Sequence, residues 1–535
     1  MTYSEQSLDA IVTDLFDTVA RHFPVSCASD EFYYFPQVRL PHPIWKRWDD
    51  FSPDLVSEVI MKLSSWKSRL DTIRPDEREP DVQTDSMILR KLVVTLHEQL
   101  SDIRPWEYQP TLYLTIASLG LAEAIESEDS RAAHERAETL PAFFDHACRN
   151  LKIVPVLFRD IALEMISDTR TYMMLLEKRL PELKNTFSAL DRFEDALLSL
   201  TTRNDFLLPD TQFERIVGFH IFTESSAKET NDLLDLEIDE MKKRMNREAK
   251  RFVPHWTARN PSFEELRSAL NQIPLPEIGA NGLIGLYQEE VDCLADHCVE
   301  QGFLSSDVLS SYKVSVAPVP LFLSAIRSSS SYSIPLKYPP SGGTFHIVNA
   351  QDFKESQKEY HRDYRMLSAH ETWPGHHLLD IHRLNHTRPL RRAFEQPIFY
   401  EGWACFAEEL LLHTGYFSAP QDRFLLAKRR LWRALRGKVD LGIQTGTLDM
   451  PAAARYLSHI GMSYTKALST VKKYTLQPGY QLCYTIGLQR FLRLSDHYGK
   501  GTLKQFVKTV LNQGEILFSD LYRICFSDKN YRDFS

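Results

Sequence analysis

The sequence predicts a mainly α-helical fold with a small β-sheet, and three observations carry that reading. Apolar residues recur at mixed three- and four-residue intervals through most of the first half. Glycine is scarce, at 20 of 535 residues, which disfavours a turn-rich all-β fold. Strand-like composition is confined to two short stretches beyond residue 310. With 43% hydrophobic residues the chain can bury a large core, and its length allows two or more domains.

In chain order, residues 9–22, 55–70, 86–100 and 112–126 read as amphipathic helices separated by short polar or Pro-containing breaks. The pattern continues over 153–180, 182–200 and 233–251, the last with a strongly charged face suited to solvent. Ser262, after Pro261 and three residues before Glu265, marks a helix start with a capping box. The texture then changes. Val314-Ser315-Val316-Ala317-Pro318 and residues 344–349 are strand-like, separated by the run 328–331 of serines and by Pro339-Pro340-Ser341-Gly342-Gly343. We divide the chain accordingly into an N-terminal helical region, 1–310, and a region of sheet and C-terminal helices, 311–535. Thr344 and Phe345 are placed on a strand expected to bind an extended substrate; a covered structural strand is the competing reading.

A formal charge of −9, from 63 basic and 72 acidic residues, gives no electrostatic reason to expect nucleic acid or an anionic membrane as partner. The first residues lack a basic stretch followed by an apolar one, and no segment approaches the roughly 20 apolar residues that span a bilayer. A cytoplasmic location is therefore expected. The seven cysteines are dispersed from Cys27 to Cys525 and do not resemble a disulfide framework. Cys293, His297 and Cys298 have no second cluster at zinc-ribbon spacing and read as ordinary helix residues; His382 and His386 have no neighbouring Glu and read likewise.

The chemistry concentrates in His370-Glu371-Thr372-Trp373-Pro374-Gly375-His376-His377 and, 31 residues after His370, in Glu401-Gly402-Trp403-Ala404. Two imidazoles and a carboxylate on one divalent ion, with a second carboxylate beside the first His, are what a zinc hydrolase needs. His370, His376 and Glu401 are the expected ligands, with His377 as the alternative, and Glu371 is the expected general base. On an unbroken helix His376 would lie about 120° around and about 9 Å along from His370, too far to share an ion. Pro374 offers no N–H and Gly375 tolerates unusual backbone angles, so the helix can be interrupted to return His376 to the ligand face.

This pair of segments closely resembles the bacterial family called domain of unknown function 885, whose members carry H-E-x-x-P-G-H-H-L-Q followed by E-G-W-A-x-Y-x-E. The likeness runs through Gly343-Thr344-Phe345 and Asn349 upstream, and through Arg433-Ala434-Leu435-Arg436, Asp440 and Gly442 downstream. It ends in residues 478–487, similar to the family's P-G-Q-A-x-x-Y-x-I-G, so specific motifs cover about residues 340–495. Leu379 replaces the usual Gln, Phe406 a common Tyr, and Gln444 a usual His. Gln444 cannot carry charge, which puts the substrate end of the site in question.

Supporting roles follow. Glu408, seven residues after Glu401, lies nearly on the same helical face and could hydrogen-bond a ligand imidazole, a solvent-facing carboxylate being the alternative. Tyr484 could donate to an oxyanion or satisfy a core acceptor. Arg433 and Arg436, three apart, could bind a substrate carboxylate, or Arg436 could pair with Asp440. The expected activity is zinc-dependent hydrolysis of a peptide or related amide in a deep cleft. The resemblance, and its likeness to helical carboxypeptidases, implies short peptides with a free C-terminus. A biosynthetic metalloenzyme acting on a non-peptide metabolite and a catalytically silent binding protein are the alternatives.

Overall fold

The computed structural model describes residues 3–38, 46–74, 79–127, 129–323, 329–335, 339–348, 350, 353–459, 461–498 and 501–526. It is mainly helical, with one sheet of two short strands and one of three. Ser328 and Asn349, both used in the sequence reading, lie outside the described residues. None of the seven cysteines is in a disulfide, and no helix among the described residues is long and apolar enough to cross a membrane.

The expected helices form, and several begin earlier than apolar periodicity suggested. Pro53, Pro80 and Pro110 each open a helix: Pro53–Thr72, Pro80–Glu98 and Pro110–Glu126. Proline is at home in the first turn, where its missing N–H has no intrahelical partner to lose. A residue that looks like a break is here the start signal. The Ser262 capping box closes in both directions, Ser262 Oγ accepting from the Glu265 N–H and Glu265 accepting from the Ser262 N–H at 2.7 Å. The helix Ser130–Asn150 was not read from the sequence; Asp129 caps it by accepting the Ala132 N–H, while Pro141 lies in its interior.

The chain forms two compact units. The first comprises Met1–Phe206, Val319–Ser328 and Thr387–Glu395. In it the late segment is fixed by buried Arg391, which donates to Asp85 and Asp81 at 2.7 and 2.8 Å. The second comprises Leu207–Pro318, Ser329–His386 and Gln396–Ser535, and the 310/311 division made on composition falls inside it. Its helices pack Ala227–Phe252 along Pro420–Gln444, and Pro397–His413 along Leu482–Asp496.

Glycines decide how closely the latter pair approaches. A Cβ on Gly487 would lie 2.0 Å from the Ile398 carbonyl oxygen, and one on Gly402 would lie 2.6 Å from the Gly487 Cα. Gly487→Ala is therefore expected to push the helices apart and destabilise the protein by about 1–3 kcal/mol or more. A denaturant midpoint equal to wild type would show that the contact relaxes without cost.

In the three-stranded sheet, Gly343–Ile347 is the central strand, parallel to Val314–Pro318 and antiparallel to Ser331–Ser333. This corrects the sequence reading of Thr344 and Phe345. Both sides of their strand are already paired, and Phe345 is fully buried with its ring against Tyr287. Neither residue lies on a free edge for a substrate. Among the described residues the edge strands are Ser331–Ser333 and Val314–Pro318.

Candidate metal centre

The helix Tyr364–Glu371 stops one residue after His370, and a new helix, His376–Leu384, starts at the second histidine. The interruption is thus complete, wider than a local excursion within one helix. Gly375 is required by close approach: a Cβ there would lie 2.0 Å from the His370 carbonyl oxygen and 2.4 Å from that of Ala369. The turn is tied down from the neighbouring helix, since the Trp403 indole donates to the Pro374 carbonyl at 2.9 Å. Trp403 thus locks the histidine turn to the helix Pro397–His413 that supplies Glu401.

The result brings His370, His376 and Glu401 together, one ligand atom of each lying within 4.8 Å of the others. Glu401 Oε2 is 3.3 Å from His370 Nε2 and 3.6 Å from His376 Nε2. A tetrahedral ion with bonds of 2.0–2.2 Å holds its ligand atoms about 3.4 Å apart, so these spacings suit one. Glu401 Oε2 is buried and has no hydrogen-bond donor among the described residues, an orphaned acceptor that a cation would satisfy. Burial pushes the Glu401 carboxyl up, but the two imidazoles hold it well below the usual carboxylate range. The donor set, two nitrogens and one carboxylate oxygen, fits zinc. No other His, Cys, Asp and Glu group of this kind occurs among the described residues. His297 instead bonds Thr414 Oγ1 at 2.8 Å, and burial pushes His382 down to about 4.

His377 faces elsewhere. Its Nε2 meets the Tyr312 carbonyl oxygen at 2.8 Å and its Nδ1 the Tyr332 hydroxyl at 2.7 Å. A carbonyl can only accept, so Nε2 carries the proton and Nδ1 accepts from Tyr332. Both ring nitrogens are committed, and burial pushes the imidazole down to about 4. His377 therefore pegs the edge strand Ser331–Ser333 to the ligand turn. That strand in turn reaches the expected base, because the Tyr332 N–H donates to Glu371 Oε2 at 3.1 Å. Burial raises the Glu371 carboxyl above its ordinary value, the direction useful to a group that must accept and then release a proton.

Glu408 is completely buried, with Oε1 3.2 Å from His370 Nδ1. This is the orienting position expected of it, and the solvent-facing alternative does not hold. Arg433 grips the same carboxylate at 2.6 and 3.0 Å and Arg429 at 3.0 Å. Burial pushes Glu408 up, but the two guanidinium charges hold it well below the usual range. Glu408→Gln is expected to weaken metal binding by about 10–100-fold, the usual cost of losing a ligand's orienting partner. Competition against a chelator measures it, and unchanged affinity would reduce Glu408 to an internal counterion.

The remaining residues divide. Arg433, expected at the substrate, is spent on Glu408 behind the His370 ring, which corrects that reading. Asp440 accepts from the backbone N–H groups of Gly479 and Gln481 at 3.2 and 2.9 Å, and so anchors the turn before Tyr484. Tyr480 donates to Glu401 Oε1 at 3.4 Å, and the Tyr484 ring lies beside that of Tyr480, their centres 6.2 Å apart. Gln444 is buried and donates to the Tyr474 carbonyl at 3.3 Å; Leu379 is fully buried.

Tyr332, Tyr312, Arg429, Tyr480 and Tyr400 were not found from the sequence. Tyr400 stacks on His376 with ring centres 4.1 Å apart and donates to Asp380 at 3.1 Å. Its place just before Glu401 was a usable signal, as was that of Tyr480 within the 478–487 element. For Tyr332, in a Ser-rich run, there was none.

A family described as bacterial protein of unknown function, DUF885, matches residues 41–521. No curated protein matches the chain. Among solved structures, a putative lipoprotein of unknown function from Shewanella oneidensis superposes with a TM-score of 0.75 at 16% identity, covering 98% of this chain and 100% of the other. A putative lipoprotein from Colwellia psychrerythraea gives a TM-score of 0.78 at 17% identity, covering 98% and 99%. At such identities the likeness is one of fold.

Proposed function

We propose, from the premise that this chain belongs to the DUF885 family, that it is a metal-dependent hydrolase of peptide or related amide bonds. One observation carries the reading: a buried His370, His376 and Glu401 triad with the separate carboxylate of Glu371 beside it. A binding site alone has no need of that carboxylate.

His370, His376 and Glu401 would hold the ion, with Glu408 orienting the His370 ring. A zinc ion there supplies Lewis acidity toward a carbonyl and toward the attacking water. Glu371 takes a proton from that water as its oxygen bonds to the carbonyl carbon, then delivers it to the amine nitrogen as the C–N bond breaks. The Tyr332 N–H keeps the Glu371 carboxylate aimed during the first transfer. Tyr480, at Glu401, and Tyr484 beside it would be the phenols available to an oxyanion. The substrates favoured are short peptides, and a cytoplasmic location, checked by fractionation, belongs to the same proposal.

Metal analysis of the purified protein, followed by mass spectrometry after incubation with a peptide mixture and with amide-containing metabolites, tests the function. Peptide trimming is the expected result. Turnover of metabolites alone would move the assignment to a biosynthetic enzyme. Stoichiometric metal with no turnover of either class would remove the hydrolase reading.

A further inference from the structure

Five arginines lie on the helix Pro420–Gln444; Arg423 is in its first turn, and of the four on the stretch 429–436 three are seated on carboxylates. Arg429 bonds Glu408 at 3.0 Å and Asp363 at 3.4 Å. Arg430 bonds Glu237 at 2.7 Å and Glu409 at 3.1 Å, and Arg433 bonds Glu408. Arg436 differs. Among the described residues no carboxylate lies at ion-pair distance from it, and its side-chain hydrogen bonds go to a neutral group, the Gln481 side-chain oxygen, 2.8 Å from Nε. Asp440, one turn along the same helix, is turned toward the Gly479 and Gln481 amides.

A half-buried guanidinium hydrogen-bonded only to a neutral amide has given up part of its hydration without a directly paired counter-charge, since Glu401 and Asp440 act on it only from beyond ion-pair distance. It is also stacked, its Cζ 4.5 Å from the Tyr484 ring centre and 5.7 Å from that of Tyr474. The Tyr484 ring lies 6.2 Å, centre to centre, from that of Tyr480, whose hydroxyl donates to Glu401 Oε1 at 3.4 Å, so two tyrosines link Arg436 to the triad. We propose that Arg436 is the anchor for a carboxylate carried by the substrate, so that the site selects amides with a free carboxylate close to the bond attacked. The inference deepens the hydrolase reading and rests on it for the word substrate. The carboxylate recognition itself is physical and is measurable without turnover. A planar fork held by Gln481 loses little freedom when a carboxylate arrives, and the pair that forms is charge-assisted.

Ligand-detected NMR on the full-length protein, with N-acetylphenylalanine and N-acetylphenylalanine amide as probes, tests it. Wild type is expected to bind the acid at least tenfold more tightly than the amide. Arg436→Gln should abolish that preference with metal content unchanged, and Arg436→Lys should retain part of it, since a point charge survives without the fork. Equal binding of acid and amide to wild type, or binding of neither, overturns the anchor. So does a preference that persists in Arg436→Gln. If Arg436→Gln does not fold, the wild-type comparison and Arg436→Lys decide. A surviving acid preference in a protein that turns over no amide removes the hydrolase reading and leaves the anchor standing.

Discussion

Glu371→Gln is expected to retain its metal ion and to lose about 10²–10⁴-fold in turnover, the usual worth of general acid–base catalysis. The expectation rests on a separation of roles in the geometry. The three candidate ligand atoms belong to His370, His376 and Glu401, whereas Glu371 Oε2 is engaged by the Tyr332 N–H. An amide side chain fills the same space and its oxygen can keep that backbone bond, so the strand and the triad have no reason to move. The proton acceptor alone is lost. The measurement is metal content by mass spectrometry together with turnover on the substrate found by screening. Turnover near the wild-type rate with full metal would defeat the mechanism, and loss of metal would make Glu371 part of the ligand set.

His376→Ala is expected to lose stoichiometric metal, while His377→Ala keeps it. The two residues are adjacent in sequence and both are buried, yet their rings have opposite duties. His376 Nε2 lies 3.6 Å from Glu401 Oε2, whereas both nitrogens of His377 are spent on Tyr312 and Tyr332. Removing His377 takes the partner from a part-buried carbonyl and a part-buried hydroxyl, each costing up to about 1–3 kcal/mol. It should therefore lower thermal stability without emptying the site. Metal analysis and a melting curve on both variants separate the outcomes, and full occupancy in His376→Ala would overturn the ligand assignment.

The contrast between these histidines shows how far a sequence reaches. That Pro374 and Gly375 must interrupt the helix was readable, because a missing N–H and a missing Cβ are local properties. The same reading favoured His376 and left His377 as the alternative; what excludes His377 is the strand Ser331–Ser333, arriving from about 45 residues earlier in the chain to take its ring. Arg433 and Arg436 repeat the lesson. Their spacing places them near one another on a helix, but only the position of Glu408 on a second helix consumes Arg433 and leaves Arg436 on neutral partners.

By itself, the sequence determined the mainly helical class, seven helices of the first half and the residue types of the triad, because 3.6-residue periodicity, capping chemistry and ligand chemistry are carried within a few residues of each other. Tertiary structure alone decided that Gly343–Ile347 is a central strand, that Tyr332 addresses Glu371, and that Glu408 lies behind His370. Strand order and the direction in which a buried ring or guanidinium points are set by contacts between segments distant in the chain, and no local pattern encodes which partner reaches them first.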